Sequence, residues 1–218
     1  MAKQKLFRYA EVGNLDNVVE LDPRYKGRWA SDFFGNSKPI TLELACGKGN
    51  YTLELARRHP DRNLIGVDIK GERIFVGARE GLAEGLKNAG FLRAQIEDLG
   101  YFFEPGEITE IWITFPDPYL RKPSKRLTSP RFLKIYSELL PNGGLVHLKT
   151  DDPDLHEYTL RNIEKYGLEI VSNNPDIYAS EPDGSDIYIQ TFYEGKHLAD
   201  GRTIRHICFR VIPNTPYD

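Results

Sequence analysis

Short apolar runs alternate with helical patterns along most of the chain. Ile40-Thr41-Leu42-Glu43-Leu44-Ala45 is a compact apolar-rich run that ends at Cys46-Gly47-Lys48-Gly49, and Leu53, Leu55 and Ala56 follow at helical intervals. The pattern predicts a strand, a glycine turn and a helix. Leu64–Asp68 predicts a second buried strand, and residues 71–88, with Ile74, Ala78, Leu82 and Leu86 four apart, a second helix. Residues 91–96, 110–115 and 145–149 read as three further strands, with a helix over 130–140 stopped by Pro141-Asn142-Gly143-Gly144. Residues 154–166 read as helical, Leu168–Ser172 as the start of a sixth strand, and 173–184, rich in Asn, Pro, Asp and Gly, as a long loop. The alternating run 203–211 predicts a last strand, paired antiparallel. Strands alternating with helices imply an α/β fold, a mostly parallel sheet with helices on both faces.

Length and composition narrow this further. With 218 residues, 40% of them hydrophobic, the chain suffices for one sizeable core, so a single domain over 1–218 is expected, with 1–35 as a partly flexible N-terminal extension. No run has the apolar length of a membrane span, and the charged start Met1-Ala2-Lys3-Gln4-Lys5 is unlike a signal peptide, so a cytoplasmic protein is expected. Cys46 and Cys208 stand far apart and the five histidines are scattered, so neither a disulfide framework nor a metal site is indicated. A net charge of −3 argues against binding nucleic acid by bulk electrostatics. Two local basic groups remain, Lys3, Lys5 and Arg8, and the run Arg121-Lys122-Pro123-Ser124-Lys125-Arg126; each also suits a solvated surface.

In an open parallel sheet, ligands bind beyond the carboxyl ends of the strands, so the residues there carry the candidate chemistry. Small residues at 45, 47 and 49 allow close approach of a ligand to backbone, and Glu43 adds a carboxylate. Asp68, at the end of the next strand, has the chemistry to accept both hydroxyls of a ribose, and equally that of a helix N-cap. The spacing acid-x-small-x-Gly-x-Gly differs from the GxGxxG of dinucleotide enzymes and favours S-adenosylmethionine. After the third strand, the resemblance of this arrangement to class I methyltransferases implies that either Gln95 or Asp98 meets the adenine amino group, with a helix cap as the other use of Asp98. Asp117, between Pro116 and Pro118, stands on a conformationally restricted turn where a methyl acceptor should approach.

The segment Glu43–Gly49 resembles the first motif of class I methyltransferases, with Ala45 where the first glycine usually stands. Phe115-Pro116-Asp117-Pro118-Tyr119-Leu120-Arg121-Lys122, followed by Lys125-Arg126, resembles the signature of bacterial tRNA (guanine-N7)-methyltransferases. Lys149-Thr150-Asp151 and Thr191-Phe192-Tyr193-Glu194 fall in that family's order, and the resemblance spans about residues 36 to 212. Tyr119 replaces the usual Trp, Arg121 a Lys, Leu127 an Arg, and a His of the basic segment is missing.

The resemblance implies a Rossmann-like class I methyltransferase fold and transfer of a methyl group from S-adenosylmethionine to guanine N7 at position 46, in the variable loop of tRNA. It implies cofactor contacts from Glu43, Gly47, Gly49, Asp68, Gln95 and Asp117. Asp117 would be catalytic, and Arg121, Asp151, Thr191, Tyr193 and Glu194 would meet tRNA. Asp151-Asp152 also reads as a helix start before Pro153, and Thr191-x-x-Glu194 as a capping box. Asp117-Pro118-Tyr119 is also similar to the Asp-Pro-Pro-Tyr signature of exocyclic-amine methyltransferases, with one proline fewer, and a tRNA-binding module without catalysis is a third reading.

Overall fold

A computed structural model of the protein describes residues 2–213 and 215–218. The chain forms two compact units, Met1–Thr109 and Glu110–Asp218. The first unit contains α1 (Ala2–Glu11), β1 (Val18–Glu20), β2 (Ile40–Leu44), α2 (Asn50–Arg58), β3 (Asn63–Asp68), α3 (Gly71–Ala83), β4 (Ala89–Arg93) and the short α4 (Leu99–Phe102). Its strands run parallel in the order β1-β4-β3-β2. Every residue of β2 and β3 is buried, as expected of parallel strands covered on both faces.

In the first unit, two boundaries and the N-terminal stretch depart from the sequence pattern. Helix α3 ends at Ala83 rather than 88, because Gly85 takes a left-handed φ of 70° and the Leu86 N–H turns back to the Gly81 carbonyl at 3.0 Å. Strand β4 covers 89–93 rather than 91–96. Of the stretch expected as an N-terminal extension, Met1 lies outside the described residues. The remainder supplies α1, β1 and one π-type turn, Trp29–Phe33. Trp29 is fully buried: its indole N–H donates to the Phe102 carbonyl at 2.9 Å, its backbone N–H donates to Glu107 at 2.8 Å, and its ring stacks on Phe103.

The second unit begins inside β5 (Ile108–Thr114) and continues through α5 (Pro130–Leu139), β6 (Leu145–Thr150), α6 (Pro153–Lys165), β7 (Glu169–Asn174), α7 (Phe192–Ala199) and β8 (Arg205–Arg210). Strands β5 and β6 are parallel, and β8 inserts antiparallel between β6 and β7, as the C-terminal alternation predicts. Strand β7 reaches Asn174 and so takes two residues from the expected loop. The rest of that loop is tied to the unit by fully buried Ile177, whose N–H donates to the Ile204 carbonyl at 2.9 Å. Among the described residues, no helix is long and apolar enough to cross a membrane.

Candidate active site

In the first unit the glycine turn is assembled by close packing and two buried carboxylates. Glu43 is buried within β2, and one of its oxygens accepts the Thr52 N–H at 2.8 Å together with the Thr52 hydroxyl. This ties the first turn of α2 to the strand. Asp68 ends β3, only 8% exposed, and accepts the Gly47 N–H at 2.9 Å through one oxygen and the Lys70 N–H at 2.8 Å through the other. Each carboxylate oxygen has a second acceptor position, which suits a pair of ribose hydroxyls.

The small residues of the turn have separate reasons. A methyl group at Gly49 would lie 2.4 Å from the Phe91 ring, and one on Gly77 of α3 would lie 2.2 Å from the Lys48 carbonyl. These two glycines let the turn pack down. A methyl at Gly47 would meet no atom within 4 Å, although its φ of 57° strains any L side chain, so the outer face of the turn is open backbone. Ala45 takes the left-handed region with a φ of 56°, a conformation that favours glycine. Cys46 is buried, and burial pushes its thiol well above the usual range, which leaves it protonated as a packing residue.

Gln95 and Asp98 follow β4. Both are exposed, and neither side chain caps the helical turn that begins beside it. An open glycine face, a strand-end carboxylate with spare acceptor positions and a carboxamide beyond the next strand together fit a nucleoside joined to an amino acid.

In the second unit, β5 ends in a turn centred on Asp117. Phe115 and Tyr119 flank it, both non-glycine residues at positive φ, 48° and 41°. Such conformations cost of the order of 1–3 kcal/mol each and persist only where the surroundings enforce them. The Phe115 N–H donates to the Lys149 carbonyl at 2.8 Å, and the Arg126 guanidinium donates to the Pro118 carbonyl at 2.8 Å. Pro116 is buried and Asp117 exposed. The basic run therefore divides. Arg121, Lys122 and Lys125 are exposed, while Arg126 is buried beneath the turn with its guanidinium over the Tyr158 ring.

The helix-start reading of 151–152 and the capping-box reading of 191–194 both hold. Asp152 caps α6 by accepting the Leu155 N–H at 2.6 Å, leaving the Asp151 carboxylate to Arg202 at 2.7 Å and His197 at 3.5 Å. Thr191 and Glu194 form a reciprocal capping box at the start of α7. Glu194 is fully buried; one oxygen meets the Lys149 ammonium at 2.8 Å and the other accepts the Tyr178 hydroxyl at 2.9 Å. Between the two capping residues, Phe192 and Tyr193 are 59% and 50% exposed.

Tyr178, His197 and Arg202 carry no signal of a site in the sequence, and Lys149 stands there only as part of the Lys149-Thr150-Asp151 motif. A lysine inside an apolar strand is a signal that Leu145-Val146-His147-Leu148-Lys149 carries, but its partner lies 45 residues away.

A family model described as "Putative methyltransferase" matches residues 37–207. A tRNA (guanine-N(7)-)-methyltransferase of Christiangramia forsetii is 44% identical over 221 residues, covering 96% of this chain and 99% of the relative. Its counterpart in Porphyromonas gingivalis is 49% identical over 185 residues, covering 84% of this chain and 76% of the relative. Among solved structures, the 16S rRNA methyltransferase KamB is similar with a TM-score of 0.62 at 15% identity, over 81% of this chain and 89% of that one. A 16S rRNA (adenine(1408)-N(1))-methyltransferase from Catenulisporales acidiphilia, solved with its cosubstrate SAM, has a TM-score of 0.62 at 16% identity, over 91% and 95% of the two chains. At these identities the structural likeness speaks for a shared fold.

Proposed function

The chain belongs to the tRNA (guanine-N(7)-)-methyltransferase family, and from that membership we propose that it methylates the guanine at position 46 in the variable loop of tRNA, with Asp117 at the reacting end. Its activity is methylation of a tRNA guanine at N7 with S-adenosylmethionine as cofactor. When bound, the cofactor supplies a methyl group activated by a positively charged sulfonium. Asp68 receives ribose hydroxyls through its spare acceptor positions, Gln95 accepts from the adenine amino group, and the backbone of the Gly47–Gly49 turn, open at Gly47, accommodates the amino-acid end. Glu43 serves by holding the turn to β2.

Guanine N7 carries a lone pair and no proton, so no general base is needed to create the nucleophile. Positive charge develops on the base as the methyl group arrives, and a carboxylate beside it stabilises that charge. The observation that favours Asp117 is its exposure on a turn held between two non-glycine residues at positive φ. Asp117 contacts cofactor and acceptor in this reading. Arg121, with Lys122 and Lys125, meets tRNA phosphates, which position the RNA without reading its sequence. Asp151, Thr191 and Tyr193 line the acceptor's approach, and Glu194 acts through the cap it completes. A tRNA substrate is consistent with a cytoplasmic location.

Two tRNA transcripts that differ only at position 46, guanine in one and adenine in the other, test the substrate assignment. Incubated with radiolabelled S-adenosylmethionine, only the guanine transcript is expected to gain label. Equal labelling of both contradicts position 46.

A further inference from the structure

Helix α7 buries little of itself in the second unit. Glu194 is the only buried residue of its eight, and a helix this short has little stability of its own. Polar groups on and just after β6, with the Tyr178 hydroxyl, tie it down. Lys149, within β6, reaches the first turn: its ammonium, wholly shielded from solvent, donates to Glu194 and to the Ile189 carbonyl, each at 2.8 Å. Two residues further along the chain, Asp151 reaches the far end of the helix through His197 and Arg202.

A capping box needs no lysine, and many stand in water. A buried ion pair is a poor source of net stability, because desolvating two charges offsets most of their attraction. Its product is geometry. The pair dictates where the cap sits, and the cap dictates where Phe192 and Tyr193 point.

We propose that Lys149 is a positioning residue for acceptor recognition, fixing through Glu194 and the Ile189 carbonyl the turn of α7 that presents Phe192 and Tyr193 to a nucleotide. This rests on the reading of that turn as the tRNA-facing one. Exposed aromatic rings on a fixed turn are what an unstacked RNA base requires, since stacking on a side chain replaces stacking on its neighbours. Lys149 touches no reacting atom.

The groups facing this pair are the Tyr178 phenol, the Thr191 hydroxyl, the Phe115 ring beneath the ammonium at 5.8 Å, and His206 opposite Lys149 on β8. Burial, reinforced by His147 and Lys149, keeps His206 neutral with its pKa lowered to about 3. Burial, reinforced by Glu194, pushes the Tyr178 phenol well above its usual range.

Lys149→Met tests this in the full chain. Without the ammonium, the buried Glu194 carboxylate loses its ion-pair partner and the first turn of α7 loses its tie to β6, so the KM for tRNA should rise tenfold or more over wild type while kcat stays within threefold. Affinity for S-adenosylmethionine should stay within twofold, and amide hydrogen exchange should quicken over 189–200 but not over 40–70. A KM ratio near one overturns the proposal, as does an equal loss of cofactor affinity. Should Lys149→Met fail to fold, Tyr178→Phe carries the test: a KM two to five times higher with cofactor binding intact supports it, and an unchanged KM overturns it. If the wild-type protein methylates tRNA and the variants match it, the inference alone fails; if the wild type transfers no methyl to tRNA, the functional reading fails and the inference with it.

Discussion

Asp68 and Asp117 both follow parallel strands and both face the carboxyl edge of their own unit, yet they are held in opposite ways. Asp68 is nearly buried, and backbone amides from Gly47 and Lys70 engage both of its oxygens. Asp117 is exposed on a turn whose neighbours, rather than the carboxylate itself, are tied down. The first arrangement makes a site out of backbone, finished before any ligand arrives. The second leaves a charged group uncommitted, and the folded chain accepts strain at Phe115 and Tyr119 to keep it there. With Asp117 proposed at the reacting end, fold stability and chemistry would depend on different carboxylates.

The largest expected effect follows from that separation. Asp117→Ala should lower the single-turnover rate of methyl transfer by about 100-fold or more, the size typical of removing one electrostatic partner of a transition state. Its melting temperature should barely move, because exposed substitutions are usually neutral to within about 0.5 kcal/mol. Asp68→Ala should instead weaken S-adenosylmethionine binding by about tenfold or more, as expected when charge-assisted hydrogen bonds are removed, and lower the melting temperature as well. Calorimetric titration and thermal unfolding distinguish the two. Similar profiles for both variants would break the comparison.

A smaller effect tests the backbone half. Gly77→Ala sets a methyl group against the Lys48 carbonyl and should destabilise the protein by about 1–3 kcal/mol, read as a lower denaturation midpoint. Gly47→Ala meets no atom and should cost only the strain of its positive φ, about 1–2 kcal/mol, while its methyl group projects from the open face. Cofactor affinity should therefore fall more for the substitution that harms packing less.

The mildest contrast lies in the basic run. Replacing Arg121, Lys122 and Lys125 together by Ala should weaken tRNA binding and flatten its salt dependence by about one unit of log–log slope for each phosphate no longer neutralised. Arg126→Ala should chiefly lower stability, since that side chain supports the Pro118 carbonyl and packs on Tyr158. An unchanged salt slope in the triple variant would place the phosphate-binding residues elsewhere.

The central strands and the glycine turn are legible in the sequence because their signals are local. The run at 40–45 and the acid at Asp68 lie within a few residues of the turns they define. Helix α3 was overextended because Leu82 and Leu86 keep the apolar spacing through the point where Gly85 ends the helix; Leu82 is in fact exposed. The π-type turn at Trp29 escaped notice because its partners, Phe102 and Glu107, are more than 70 residues away. The same holds for the candidate site. Thr191-x-x-Glu194 is legible as a capping box, but nothing local shows that Glu194 is sealed inside with Lys149 and Tyr178. Arg126 reads like its basic neighbours until the turn folds over it.

One measurement reaches the central claim directly. Unmodified tRNA is incubated with the protein and S-adenosylmethionine, reduced with borohydride and treated with aniline, which breaks the chain only where N7-methylated guanine has been made labile. The account predicts a single new cleavage, at the variable-loop guanine, that disappears with Asp117→Ala. Methyl incorporation without aniline-sensitive cleavage would mean that another atom is the acceptor, and would contradict it.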